Sequence, residues 1–368
     1  MGTAPALTAP SSAYGPALRA AIEKQIAEDG TPGAVVLVRS PLLGDWSAAF
    51  GTRRVGKDDP VSVGDVFRIG DITAMMTATV LLRLQDQGKL SLQDPISAYV
   101  PGVPNGDSIT LEELGDFEGG LVDYQEVPAF QAAYGADPQR TFAPQELLDI
   151  AFSAEELPVE SEAWSRTNSV LLGMVIEKVT AKPASDVFAD ELFKPLGLEH
   201  IGLADAVGTL PEPHADGYAW AQDVFADPSL PADQRSAIAA GTQQLIDRTA
   251  DSASSAWAAT GAYACANDVA DFFVAAVDGR LLDDDARAIW QDMDSLGPDK
   301  PDGVHVRFGL AEIDGYLFAS GAAPGYNALV AFNPARHETV VVLTNLMAAP
   351  DGSAPVAGIF EEIRKVLR

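Results

Sequence analysis

FRIGDITAMMTATVLLRLQDQGKL, residues 67–90, is apolar on nearly every side between positions 73 and 87. A helix without a polar face belongs at the centre of a large core. Gly88 is its stop signal, because glycine takes the left-handed conformation that ends a helix. Just ahead, 66–70 reads as a short extended piece. Asp71 falls between the two, at the helix N-terminus, where free N–H groups stabilise an anion. An ordinary N-cap and an acid placed for chemistry are both open at this position.

The chain on either side divides unevenly. Upstream, 15–29 has helical spacing, with Leu18, Ala21, Ile22 and Ile26 on one face. The run GAVVLVRS (33–40) reads as a buried strand and 46–51 as its hairpin partner. Downstream, 90–251 reads as mostly helical with Pro- and Gly-rich connections, and 170–179 is its clearest helix. Strand patterns return at 305–313, 316–319, 326–332 and 339–344, and an amphipathic helix over 356–367 follows. Strands towards both ends with helices between them predict an α/β domain built from 15–89 and 252–368. A mainly helical domain, 90–251, is then inserted in it, and 1–14 is a flexible arm. The cleft between two such domains is the default ligand site.

Composition narrows the function. The 368 residues are 47% hydrophobic and 21% charged, which suits a large globular core. Lys and Arg number 24 against 53 Asp and Glu, a net charge of −29. Such a surface repels phosphate backbones, so neither nucleic acid nor an anionic membrane is an expected partner. Cys265 is the single cysteine, so no intrachain disulfide forms. The four histidines, His200, His214, His305 and His337, are scattered, and no spacing reads as a metal site. No cofactor motif stands out. Residues 1–14 lack the basic start and apolar run of a signal peptide, and no stretch is long and apolar enough to span a bilayer, so a cytoplasmic location is expected.

Several ordered stretches resemble the serine β-lactamase/DD-peptidase superfamily, in particular its DD-carboxypeptidase and esterase-like branch. They are FRIG (67–70), LLRLQDQGKL (81–90), DPI (94–96), YVPG (99–102), TNSVLLG (167–173), FKPLGL (193–198), PGYN (324–327) and VVLTN (341–345). The resemblance implies an α/β fold with an antiparallel sheet, flanked by helices from both termini and carrying an inserted helical domain. It also implies three catalytic constellations: Ser-x-x-Lys at the start of the central helix, Tyr-x-Asn on a loop, and His/Lys-x-Gly on a strand. The first two side chains lie three residues apart, on one helical face, where the amine activates the hydroxyl.

In this sequence those polar positions differ. Arg-Ile-Gly-Ser-x-x-Lys aligns with residues 68–74, placing Asp71 at the nucleophile and Ala74 at the lysine. Tyr-Ser-Asn-Thr-Asn aligns with 164–168, placing Trp164 at the tyrosine and Arg166 at the asparagine. The strand motif aligns with 320–322, placing Ser320 at its cation. No other Ser-x-x-Lys stands at a helix start, and Ser165 has no neutral-pH base beside it. The chain is therefore expected not to work as an acyl-serine hydrolase.

The altered cleft suggests its own chemistry. Asp71 and Glu118 are the candidate catalytic carboxylates, two acids able to divide acid and base roles. Trp164, Arg166, Ser320, Phe117 and Tyr326 are the candidate ligand-binding residues. Arg166 facing Asp71 could form a buried pair, and Trp164 could stack on a ring-bearing ligand or pack in the core. Three functions stay open. The preferred one is a repurposed enzyme acting on a small organic molecule by isomerisation, cyclisation, elimination or addition. The others are a pseudoenzyme that binds a small ligand or protein partner, and a residual weak esterase or peptidase. An open pocket with an unpaired Asp71 or Glu118 favours the first; a pocket closed by Trp164 and an Arg166–Asp71 pair favours the second.

Overall fold

A computed structural model describes residues 13–153, 164–204, 210–225, 229–292 and 306–368. In chain order its strands are β1 (Gly33–Arg39), β2 (Trp46–Gly51), β3 (Phe67–Arg68), β4 (Ile201–Leu203), β5 (Tyr218–Ala219), β6 (Ile246–Asp247), β7 (Ala262–Ala264), β8 (Val306–Arg307), β9 (Leu310–Ile313), β10 (Tyr316–Ala323), β11 (Tyr326–Asn333) and β12 (Glu338–Thr344). Seven of them form one antiparallel sheet in the order β2-β1-β12-β11-β10-β9-β8. The first strand thus lies beside the last, with Ala34 opposite Thr344.

The central strands are buried on both faces, and their side chains alternate between two cores. Val36, Val38, Val340 and Val342 meet Leu18 and Ile22 of the helix Gly15–Asp29, and Ile359 and Ile363 of the helix Pro355–Leu367. Val35, Leu37, Val341 and Leu343 face the opposite core, with Phe272 and Phe273 of the helix Ala266–Val277. The first helix stops at Gly30, which takes φ 68° and donates its N–H to the Ile26 carbonyl. The long helix Ile72–Asp86 fills the centre, with twelve side chains buried along its length. It packs against the helices Arg166–Thr180 and Trp257–Thr260. Beside the helix Arg166–Thr180 an aromatic cluster of Tyr124, Phe130, Tyr134, Phe142 and Phe225 packs the region read as mainly helical.

The observed fold is the expected α/β arrangement. Two strand expectations need correction. The segment read as one strand over 305–313 is a hairpin, β8 and β9, turned at Phe308 (φ 48°) and Gly309 (φ 76°); His305 lies outside the described residues. The strand expected to end at 319 continues to Ala323, because Gly321, Ala322 and Ala323 pair with β11 despite their weak strand preference. Of the expected flexible arm, 1–12 also lie outside the described residues, while the Tyr14 hydroxyl donates to the Gly44 carbonyl at 2.5 Å. Among the described residues no helix is long and apolar enough to cross a membrane.

Candidate active-site cleft

The small sheet β3-β7-β4 fixes the start of the long helix. Ile69 donates its N–H to the Ala262 carbonyl at 3.0 Å, and the Ala262 N–H donates to Thr73 Oγ1 at 2.9 Å. The turn between them rests directly on the edge of β10. A Cβ on Gly70 would come within 2.5 Å of the Ala322 backbone, and one on Gly321 within 2.1 Å of the Asp71 nitrogen. Two glycines facing each other let these main chains touch.

Asp71 projects from that turn. Its carboxylate makes no capping bond to its own helix, which corrects the N-cap reading. Instead Oδ2 accepts the Ala322 N–H at 3.2 Å, and Oδ1 lies 3.2 Å from Arg166 Nη2. Burial pushes this carboxyl up; the Arg166 charge and the Ala322 N–H pull it down, and burial prevails.

Arg166 occupies the first turn of its helix, where the macrodipole disfavours a cation. Two carboxylates offset that. Asp123, whose side chain is 2% exposed, accepts both Arg166 Nη1 at 3.0 Å and the Arg166 main-chain N–H at 3.2 Å. Burial opposes the guanidinium charge, and Asp71 and Asp123 together keep it protonated. The Asp123 segment is fastened by Thr167 Oγ1, which donates to the Val122 carbonyl at 2.6 Å and accepts the Tyr124 N–H. Asp123 was not among the residues anticipated from sequence. Its signal was a lone acid in the run Leu121-Val122-Asp123-Tyr124, where a buried charge has to be paired.

The other anticipated residues scatter. Glu118 is exposed and acts electrostatically on Asp116, not Asp71, so the second carboxylate of the site is Asp123. Trp164 and Phe117 stack on each other, with ring centroids 3.6 Å apart and planes 19° from parallel, so one face of the tryptophan is already covered. Tyr326 is fully buried: its ring meets Phe67 edge-on and its hydroxyl donates to the Ala215 carbonyl at 2.9 Å. It is a core residue rather than a cleft residue. Ser320 is exposed, while its neighbours Ala319 and Gly321 turn towards the long helix. Ala74 is buried and brings no amine to the site.

Two openings meet at Ala322. One, about 160 Å³, is lined by Arg166, Gln125, Glu126, Thr260 and Pro324. The other, about 420 Å³, runs from Asp71 past Ser320 and under the helix Pro355–Leu367. Away from the cleft, the fold brings donor atoms of His200, Cys265 and Asp268 within 4.8 Å of one another, a grouping that sequence spacing did not show. Asp268 Oδ2 is already engaged by the main-chain N–H groups of Glu199 and His200, at 3.0 and 2.6 Å, and burial pushes the Cys265 thiol up to about 11. The trio reads as a loop fastening.

Beside the cleft, Asp116 lies against the β8–β9 hairpin, 3.6 Å from Arg307 and accepting the Phe308 N–H at 3.3 Å. Burial pushes it up to about 7, against the pull of Arg307. An unfolded Asp116 titrates near 3.8, so between these values the folded state holds a proton the unfolded state has released. Its contribution to stability therefore falls as pH rises across that window, and the loss is complete above it. Asp116→Asn is expected to lessen the drop in urea midpoint between about pH 4 and pH 7. An unchanged pH profile in the variant would refute this assignment.

The family model for Beta-lactamase matches residues 18–359, and the chain belongs to this family. It is 25% identical over 328 residues to the putative penicillin-binding protein PbpX of Bacillus subtilis, covering 88% of this chain and 73% of that protein. A D-stereospecific amidohydrolase from Streptomyces superposes with a TM-score of 0.78 at 27% identity, over 96% of this chain and 98% of the other. The penicillin binding protein of Bacillus halodurans shares the fold, with a TM-score of 0.75 at 19% identity, over 94% of this chain and 99% of the other.

Proposed function

We propose that this chain is a beta-lactamase-family protein that has given up acyl-serine hydrolysis and binds a small organic ligand at its cleft. One observation carries the reading. At the position the family resemblance gives to the serine, Asp71 places its own carboxylate on the Ala322 N–H and pairs with Arg166. Main-chain N–H groups so placed stabilise a developing oxyanion in acyl transfer. Here the Ala322 N–H holds an anion that the chain supplies itself. With Ala74 and Trp164 at the positions of the lysine and tyrosine, neither side chain that activates the family's serine is present there.

Two other readings have something in their favour. The names of the relatives point to hydrolysis of a small amide or ester, in which Asp71 would have to direct a water. A non-hydrolytic enzyme needs a free carboxylate, and the pairing of Asp71 and the distance of Glu118 give it less support. One experiment separates binding from hydrolysis. Intact mass spectrometry after exposure to a penicillin and a fluorophosphonate is expected to show no adduct, and D-amino acid amides and activated esters no turnover above the blank. A stoichiometric serine adduct, or turnover abolished by Asp71→Ala, would overturn the proposal in favour of a hydrolase.

A further inference from the structure

The 420 Å³ cavity is of small-molecule size and mainly apolar. The outward face of β10 and β11 forms its floor, with Phe318 and Leu329, and the helix Pro355–Leu367 its wall, with Val356 and Phe360. Charge is confined to the two ends. At one end Arg364 is already matched by Asp314 and by Glu361, the latter at 3.4 Å. At the other end stands Asp71. There two carboxylates, Asp71 and Asp123, share the single guanidinium of Arg166, an imbalance of one negative charge. Asp71 Oδ1 is sheltered from solvent and stands 3.2 Å from Arg166 Nη2, so the carboxylate meets the cavity through Oδ2, which accepts the Ala322 N–H. Buried negative charge calls for either a proton or a cation.

We propose that this cavity binds a small organic cation: a primary ammonium group set on Asp71 Oδ2, and an apolar or aromatic body lying against Phe318, Leu329, Val356 and Phe360. The proposal rests on reading the chain as a ligand-binding protein and names the ligand class. An ammonium ion supplies the missing charge and donates to the lone pair of Oδ2 that the Ala322 N–H leaves free. A carboxylate ligand would meet Asp71 and Glu361 as like charges. The net charge of −29 draws cations towards the protein as a whole.

The test compares three probes of one shape at pH 8 by isothermal titration: 4-phenylbutylammonium, 4-phenylbutanol and 4-phenylbutyrate. The ammonium is expected to bind about tenfold or more tighter than the alcohol, the scale of a hydrogen bond to a charged group. The carboxylate is expected to bind weakest. Asp71→Asn should remove the preference for charge while leaving the alcohol's affinity within about twofold. Ala357→Trp, at an exposed position on the cavity wall, should weaken all three probes by blocking the space. Equal affinity for ammonium and alcohol, a preference that survives Asp71→Asn, or no binding of any probe at millimolar concentration would each overturn the inference. Such a failure with no covalent adduct sinks the ligand class alone, whereas an adduct or turnover sinks the functional reading beneath it.

Discussion

Arg166→Ala is expected to destabilise the folded chain by on the order of 3–5 kcal/mol at pH 8. The guanidinium is the cation between Asp71 at 3.2 Å and Asp123 at 3.0 Å, and its side chain is only 26% exposed. Removing it strands two acids side by side, one of them almost wholly enclosed. Because Arg166 retains some contact with water, the lower end of that range is the better expectation. Arg166→Lys should recover only part of the loss, since one ammonium cannot span two carboxylates as a planar fork does. Adding Asp71→Asn to Arg166→Ala should recover stability by removing one stranded charge. Urea unfolding of the four proteins reads this directly. A loss within about 0.5 kcal/mol for Arg166→Ala would mean that the pairing is an exposed surface contact.

Gly321→Val is expected to be at least as damaging. The first added carbon would lie 2.1 Å from the Asp71 nitrogen, 2.5 Å from the Ile69 carbonyl oxygen and 2.7 Å from the Gly70 carbonyl carbon. All three are main-chain atoms pinned by the pairing of Ile69 and Thr73 with Ala262, so none can swing aside as a side chain would. The turn must lift off β10, breaking the Ala322–Asp71 hydrogen bond and opening the core beneath. A loss of about 3 kcal/mol or more follows from such overpacking. Gly64→Ala is the matched control, since a Cβ there meets nothing within 4 Å. Two variants of similar urea midpoint would show that the close approach at Gly321 is easily relaxed.

The sequence and the structure agree most where side chains carry the information. The continuous apolar runs at 33–40 and 339–344 announced buried strands, and the all-round apolar helix announced the centre of the core, because burial selects side chains directly. The register of the sheet's far edge was hidden. Gly321 and Ala322 have little strand preference, and they are in the sheet because β11 supplies partners. The cleft was legible in part. Alignment to the family motifs put Arg166 opposite Asp71, and the structure places them 3.2 Å apart. The Ala322 N–H left no trace, since a main-chain donor has no side chain to read. Tyr326 was misplaced because a motif names neighbours along the chain and not the face of a strand. Glu118 was misplaced because, among 53 acids, nearness in sequence says little about which one is enclosed. Asp123 was the enclosed one, held by the main chain it bonds.

The pairing of β1 with β12 also sets a timetable for biosynthesis. β1 and β2 can form their hairpin soon after leaving the ribosome, yet the inner edge of β1 finds its neighbour only when residues 338–344 emerge. The helix Gly15–Asp29 waits equally long for the helix Pro355–Leu367 it packs against. Through most of translation the nascent chain therefore carries an unpaired hydrophobic strand edge, the kind of surface on which chains associate wrongly. The aromatic cluster lies between residues 124 and 225, and it can condense much earlier. The sheet closes last, and the cleft, held between Asp71 and Ala322, waits in any case for β10 to emerge.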